Sequence, residues 1–260
     1  LLGLPAVTAE WAQLKPAHAW LNLVGVISLV IATTLLHLFP TVVGARIRRG
    51  WSAYLTVAGL AVGAALVALG FALRADALAR VGAVATLAGA LALGAYAIAV
   101  WRTRARWSGD RGWHVFAMGG LVSAIAWFAL SIALATTRLL GAGADPTQAG
   151  ADLLVVPFVG GWMGLALLAS ATHLVPSVGP GGPHAHAAQR ATLGRAGTPR
   201  LLAADLGIGA LALGYPSGLD ALVVAGLALA GITLGGTAVL VGLAVVDGIR
   251  DARQSGTLQF

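Results

Sequence analysis

Cysteine is absent from this 260-residue chain, and charge is scarce: Asp, Glu, Lys and Arg together make up 10% of it. Without cysteine there can be no disulfide, no thiolate metal site, no iron–sulfur cluster and no haem attached through a CxxCH motif. A soluble globular domain carries roughly 25% charged residues, so the second shortage excludes a water-soluble fold. Lysine is also nearly missing, with Lys15 standing alone beside fifteen arginines. Acidic residues number only nine, and the sequence places them all in loops or at the ends of apolar runs. An intramembrane carboxylate of the kind common in proton-coupled transporters is therefore not expected. Walker A, nucleophile-elbow and HExxH sequences are absent, which removes the usual nucleotide and hydrolase chemistries.

What remains is apolar. Hydrophobic residues reach 58% and the mean hydropathy is +0.88. Several runs exceed the ~20 residues that a helix needs to cross a hydrocarbon layer. Barrel strands of alternating polarity are missing, and lipid demands internally paired backbone, so the runs predict helices. The chain reads as an all-α, polytopic membrane bundle of about seven spans. They fall near Ala19–Val43, Ala53–Leu73, Ala79–Trp101, His114–Leu140, Leu153–Val178, Leu201–Tyr215 and Leu219–Val246, the sixth being the shortest. Tyr215-Pro216-Ser217-Gly218 is a turn signal that predicts a tight hairpin between the last two.

Counting alternate sides, Arg46, Arg48, Arg49, Arg102, Arg104, Arg106, Arg111, Arg190, Arg195, Arg200, Arg250 and Arg253 share one face, against Lys15, Arg74, Arg80 and Arg138 on the other. The positive-inside rule puts the first face and the C-terminus in the cytoplasm of a plasma membrane. Because the formal charge of +7 sits in short loops, it is assigned to topology and anionic lipid rather than to nucleic acid. Trp51, Trp101, Trp107 and Trp113 lie near that boundary and read as interface anchors. Gly59 and Gly63, Gly160 and Gly164, and Gly231 and Gly235 have the spacing of close helix contacts.

The first span repeats in the fifth at an offset of 136 residues. Gly25, Leu29, His37, Leu38, Pro40 and Val42 fall on Gly161, Leu165, His173, Leu174, Pro176 and Val178, while Thr34 and Thr41 fall on Ser170 and Ser177. With six histidines and ten prolines in the chain, Gly-x11-His-Leu-x-Pro-[Thr/Ser]-Val occurring twice predicts a parallel duplication of four-helix units. The first unit covers residues 1–112 with three spans, and the second covers 113–260 with four. The fourth span then opens the second unit. Its tail Leu139-Leu140-Gly141 resembles Leu1-Leu2-Gly3, so a helix matching it is expected ahead of the first unit.

The chemistry-bearing candidates are histidines. His37 and His173 should sit at equal depth, each with a hydroxyl at i−3 that could orient the imidazole as a ligand. His18 and Asn22 begin a stripe, continued by Gly25, Leu29, Ala32 and Leu36, that could receive a flat cofactor or a neighbouring helix. His18 and His37 are roughly 28 Å apart at helical rise and serve different sites. His184 and His186, in a flexible Gly/Pro-rich loop, could converge with His173 on copper or zinc, with His114 a fourth donor from that side.

His18-Ala19-Trp20-Leu21-Asn22-Leu23-Val24-Gly25, continuing to His37-Leu38-Phe39-Pro40, resembles a histidine-bearing helix of the haem–copper oxidase superfamily. The stretch is closer still to the membrane region of actinobacterial multicopper oxidases and copper nitrite reductases, in which His-x-x-x-Asn-Leu-x-Gly and Gly-Gly-Pro phrases recur. Here these correspond to His18, Asn22, Leu23 and Gly25, and to Gly181, Gly182 and Pro183. The resemblance implies a domain that holds b-type haem or copper through histidines and exchanges electrons with a cupredoxin or other redox partner. No cupredoxin ligand set lies in this chain, so copper oxidase activity itself would belong to the partner. A small-solute or metal permease and a membrane anchor without chemistry are the competing expectations.

Overall fold

The structure is a computed structural model that describes residues 5–48, 50–104, 111–148 and 151–255. Arg49, Arg106, Trp107 and the opening Leu1-Leu2-Gly3 lie outside them. The described residues form helices joined by short connections, with no strand. In chain order they form α1 (Pro5–Trp20), a π-helical segment π1 (Leu21–Ser28), α2 (Leu29–Val42), α3 (Trp51–Leu73), α4 (Asp76–Trp101) and α5 (Arg111–Ala142). A short 3-10 turn (Pro146–Gln148) leads to α6 (Ala151–Val156), π2 (Pro157–Gly164), α7 (Leu165–Val178), α8 (Pro183–Leu193), α9 (Gly197–Ser217) and α10 (Asp220–Gln254). Among the described residues six helices are long and apolar enough to cross a membrane: Glu10–Val42, Trp51–Leu73, Asp76–Trp101, Gly112–Ala142, Leu154–Val178 and Asp220–Gln254. The protein is a multi-pass membrane bundle. The 21-residue α9, about 31 Å long at helical rise, falls outside the six because Arg200 and Asp205 interrupt its apolar run.

The first and fifth spans share an irregularity. Each passes through eight π-helical residues, Leu21–Ser28 and Pro157–Gly164, before a 14-residue α-helix that carries histidine three positions ahead of proline. The segments coincide at the same offset of 136. They face each other across the bundle centre, where buried Trp162 donates its indole N–H to Ser28 Oγ at 2.9 Å. Thr34 and Ser170, at matching positions, line one groove between α2 and α7.

Two hairpins flank this pair, and both follow from glycine. In α3–α4 a Cβ on Gly82 would lie 2.6 Å from Val67 N, and one on Gly70 would lie 2.5 Å from Ala79 N. In α9–α10 a Cβ on Gly226 would lie 2.8 Å from Leu211 N, and one on Gly214 3.0 Å from Val223 N. Backbones this close leave no room for a side chain, and the close approach provides the dispersion contacts that hold helices together in lipid. These residues correspond at an offset of 144: Gly63, Val67, Gly70, Asp76, Ala79 and Gly82 fall on Gly207, Leu211, Gly214, Asp220, Val223 and Gly226. Both turns use one left-handed residue, Arg74 (φ 55°) and Gly218 (φ 65°), and the next N–H returns to Gly70 O (2.8 Å) and Gly214 O (3.1 Å). The expected last hairpin is therefore present, but α9 runs through Pro216 and turns only at Gly218.

Of the expected glycine contacts, Gly59 and Gly63 are buried against α4, whereas Gly231 and Gly235 have nothing within 4 Å. The Gly-x-x-x-Gly spacing is the same; only the neighbouring helix differs.

Candidate functional site

The histidines gather at the arginine-rich end of the bundle, apart from His18. His37 is exposed on the last turns of α2, and its Nδ1 lies 3.2 Å from the carbonyl oxygen of Thr33. With Nδ1–H donating there, Nε2 keeps its lone pair for another partner. The hydroxyl expected to orient the ring, Thr34, points instead into the α2–α7 groove. His37 borders a cleft of about 830 Å³ whose other walls are Leu36, Ile47, Arg48, Ala53, Tyr54, Val57 and Tyr96. Tyr96 is buried and donates its hydroxyl to Leu36 O at 2.5 Å, while Arg48 on the rim donates to Ala99 O at 3.3 Å.

His173 occupies the matching place but a different environment. Trp113 lies flat against it, with ring centroids 5.4 Å apart and planes 3° from parallel, and donates its indole N–H to Thr172 O at 2.6 Å. The His173 Nδ1 is buried without a partner. Trp113 is 7% exposed, so it is a core residue of the α5–α7 contact rather than an interface anchor. Trp51 is 70% exposed at the start of α3, in keeping with the anchor expectation, and Trp101 carries the Arg104 guanidinium over its ring at 4.3 Å. His114 packs beside Trp113, with ring centroids 4.2 Å apart.

His184 and His186 are not in a flexible loop. Pro183 occupies the first turn of α8 after Gly182, and Gly182 N–H is capped by Asp251 Oδ2 at 2.8 Å. Buried Gln189 then ties α8 down through Pro180 O and Ala244 O, at 3.1 and 3.0 Å. Residues two apart on a helix face different ways. His184 accordingly lines a surface cleft with Asp251 and Ser255, while His186 Nε2 lies 3.1 Å from Gly179 O. Among the described residues no three of His, Cys, Asp or Glu are placed to share a metal ion. The convergence of His173, His184 and His186 is thus not formed.

His18 and Asn22 are neighbours on the outside of the first span, with Asn22 Nδ2 3.1 Å from His18 Nε2 and 2.8 Å from His18 O. The stripe drawn through them at 100° per residue breaks in π1, whose wider i→i+5 turns change the angular register. Ala32 and Leu36 end up buried while His18 and Asn22 stay exposed.

No known protein family, curated protein or solved structure matches this chain.

One polar centre escaped the sequence reading. Asp205, half-buried in α9, accepts hydrogen bonds from Ser123 Oγ (2.5 Å) and from Trp127 Nε1 (2.9 Å), both midway along α5. It looked like a residue at the end of a span because α9 was read from Leu201. The helix begins at Gly197, which sets Asp205 more than two turns inside it. The expectation that every carboxylate lies in a loop or at a span end fails at this position.

Proposed function

We propose that this chain is the membrane domain of a redox protein, built as a duplicated helical unit, that holds one b-type haem at the His37 cleft. The observation that carries the reading is the cleft itself. It offers one imidazole with a free Nε2, apolar and tyrosine walls for a macrocycle, and the Arg48 cation at the rim for a propionate. Its volume lies within the range of cofactor pockets. The donor set favours haem over copper, because copper seeks several imidazoles or a soft thiolate, whereas haem iron is held by one or two axial ligands. His173 lies under Trp113, so the two matching histidines are not equivalent and His37 is the ligand. A bound haem supplies one-electron chemistry. The chain's own part is to hold the iron through His37, to fix that ring through Thr33 O, and to exclude water with Leu36, Val57 and Tyr96.

The duplication is supported by the shared π segments at an offset of 136 and by the hairpin correspondence at 144. In this reading α9 completes seven crossings, and the arginine-rich end faces the cytoplasm. Electrons pass to or from a separate redox domain, a cupredoxin by the sequence resemblance. Haem titration of the detergent-solubilised apoprotein tests the site. One equivalent should saturate a Soret shift, His37→Ala should lose it and His173→Ala should keep it. A failure to saturate, or equal loss in both variants, would overturn the assignment.

A permease is the second reading, and Asp205 favours it, since ionisable groups inside a membrane often mark solute or proton paths. Both hydrogen bonds to Asp205 Oδ1 come from α5, which also suits a clip between α5 and α9. Substrate uptake by vesicles that is lost in Asp205→Asn would decide for transport.

A further inference from the structure

Two faces of the bundle are open where their counterparts are covered, and the same element covers both counterparts. In the second half α5 lies along the fifth span and along α4. Phe128 of α5 stacks on Trp162 with centroids 4.4 Å apart and meets Phe158 edge-on at 6.0 Å. A Cβ on Gly120 of α5 would lie 2.8 Å from Ala169 Cβ, and Thr136 of α5 donates to Ala83 O of α4 at 3.2 Å. Beneath this helix Phe158, Trp162, Leu165, Ala169, Ala83 and Ala90 are all buried.

Their counterparts in the other halves are not. At an offset of 136 they are Asn22, Val26, Leu29 and Thr33 on the first span, and at 144 they are Leu227 and Leu234 on α10. Val26 is 56% exposed where Trp162 is 0%, and Leu227 is 52% exposed where Ala83 is 0%. The opposite side of α10 supplies the control. Gly226, Ala230 and Thr233 face the α9 side and are as buried as Gly82, Thr86 and Gly89 of α4, while Ala244 packs on Leu193 and Trp113. The exposed surface of α10 thus includes the face that α5 would cover, where a Cβ on Gly231 would meet nothing within 4 Å.

We propose that this slot is filled by a further membrane-spanning helix, supplied by the same polypeptide ahead of residue 1. The source follows from the order within the second half, where α5 directly precedes the fifth span through residues 143–150. The occupant is an apolar helix of ~20 residues or more. It runs parallel to α5, with small residues facing Thr33 and Gly231. This inference rests on the duplication and not on haem.

The chain has no cysteine, so single spin labels can be placed without removing any native residue. Val26→Cys, Thr33→Cys and Leu227→Cys would be labelled, with Val81→Cys and Leu206→Cys as lipid-facing controls. Each is compared in bilayers in two forms, one starting at residue 1 and one carrying the native upstream segment. The upstream segment should lower oxygen accessibility several-fold at the three slot positions and leave the controls unchanged. Unchanged slot accessibility would overturn the proposal. Protection that appears only with a co-expressed subunit would do so too, as would protection in the residue-1 form on self-association. Haem content measured on the same samples separates failure of this slot from failure of the His37 assignment.

Discussion

Single residues decide where these helices can touch. A Cβ on Gly63 would lie 2.6 Å from Thr86 N and 2.8 Å from Gly82 O, and neither backbone can yield. Gly63→Ala should therefore destabilise by about 1–3 kcal/mol, the usual cost of overpacking. Gly235→Ala meets open space and should stay within about 0.5 kcal/mol. Thermal unfolding of both variants in one detergent checks the contrast. Asp145 offers a second residue-scale test outside the spans. The Thr147 hydroxyl (2.7 Å) and then the Thr147 N–H (2.9 Å) hold its carboxyl below the ordinary carboxylate value. Since the folded value is lowered, the stability this lends the turn is complete above the ordinary pKa of about 3.9 and is lost as pH falls through the lowered one. Thr147→Ala should raise the Asp145 pKa, read by NMR titration of the carboxyl.

At the scale of elements, the two π segments hold the bundle centre together through one side-chain pair. Ser28→Ala would leave the buried Trp162 indole N–H without an acceptor, at a cost of about 1–3 kcal/mol. Its unfolding midpoint in detergent should fall, and a wild-type midpoint would mean that the Trp162 contact contributes nothing. Six of the seven expected spans and the twofold His-Leu-x-Pro phrase were legible in the sequence, because apolar length and rare residues stand out against an Ala/Leu/Gly background. The correspondence between the two hairpins was not legible, since the matching glycines move to an offset of 144. The eight additional residues arise where the connection from α7 to α9 includes α8. Nor could periodicity at 100° per residue anticipate π1, so the His18–Asn22 stripe was drawn onto the wrong face. Pro183 and the Asp251 cap turned a supposed loop into α8 and separated His184 from His186. Asp205 was hidden by a helix start placed four residues late.

For the whole molecule, alternating helix direction places most of the described arginines at one end, with Arg74, Arg80 and Arg138 at the other, and charge asymmetry of this kind predicts the orientation. In intact cells an impermeant maleimide should react with Leu219→Cys and spare Thr103→Cys, and the reverse pattern would invert the topology. The proposed haem at His37 is best examined through the reduced-minus-oxidised optical spectrum of the protein purified in mild detergent. Sharp reduced α and Soret bands near one haem per chain are expected, lost in His37→Ala and retained in His173→Ala. A folded preparation, isolated without chelators, with a featureless spectrum and no iron would contradict it.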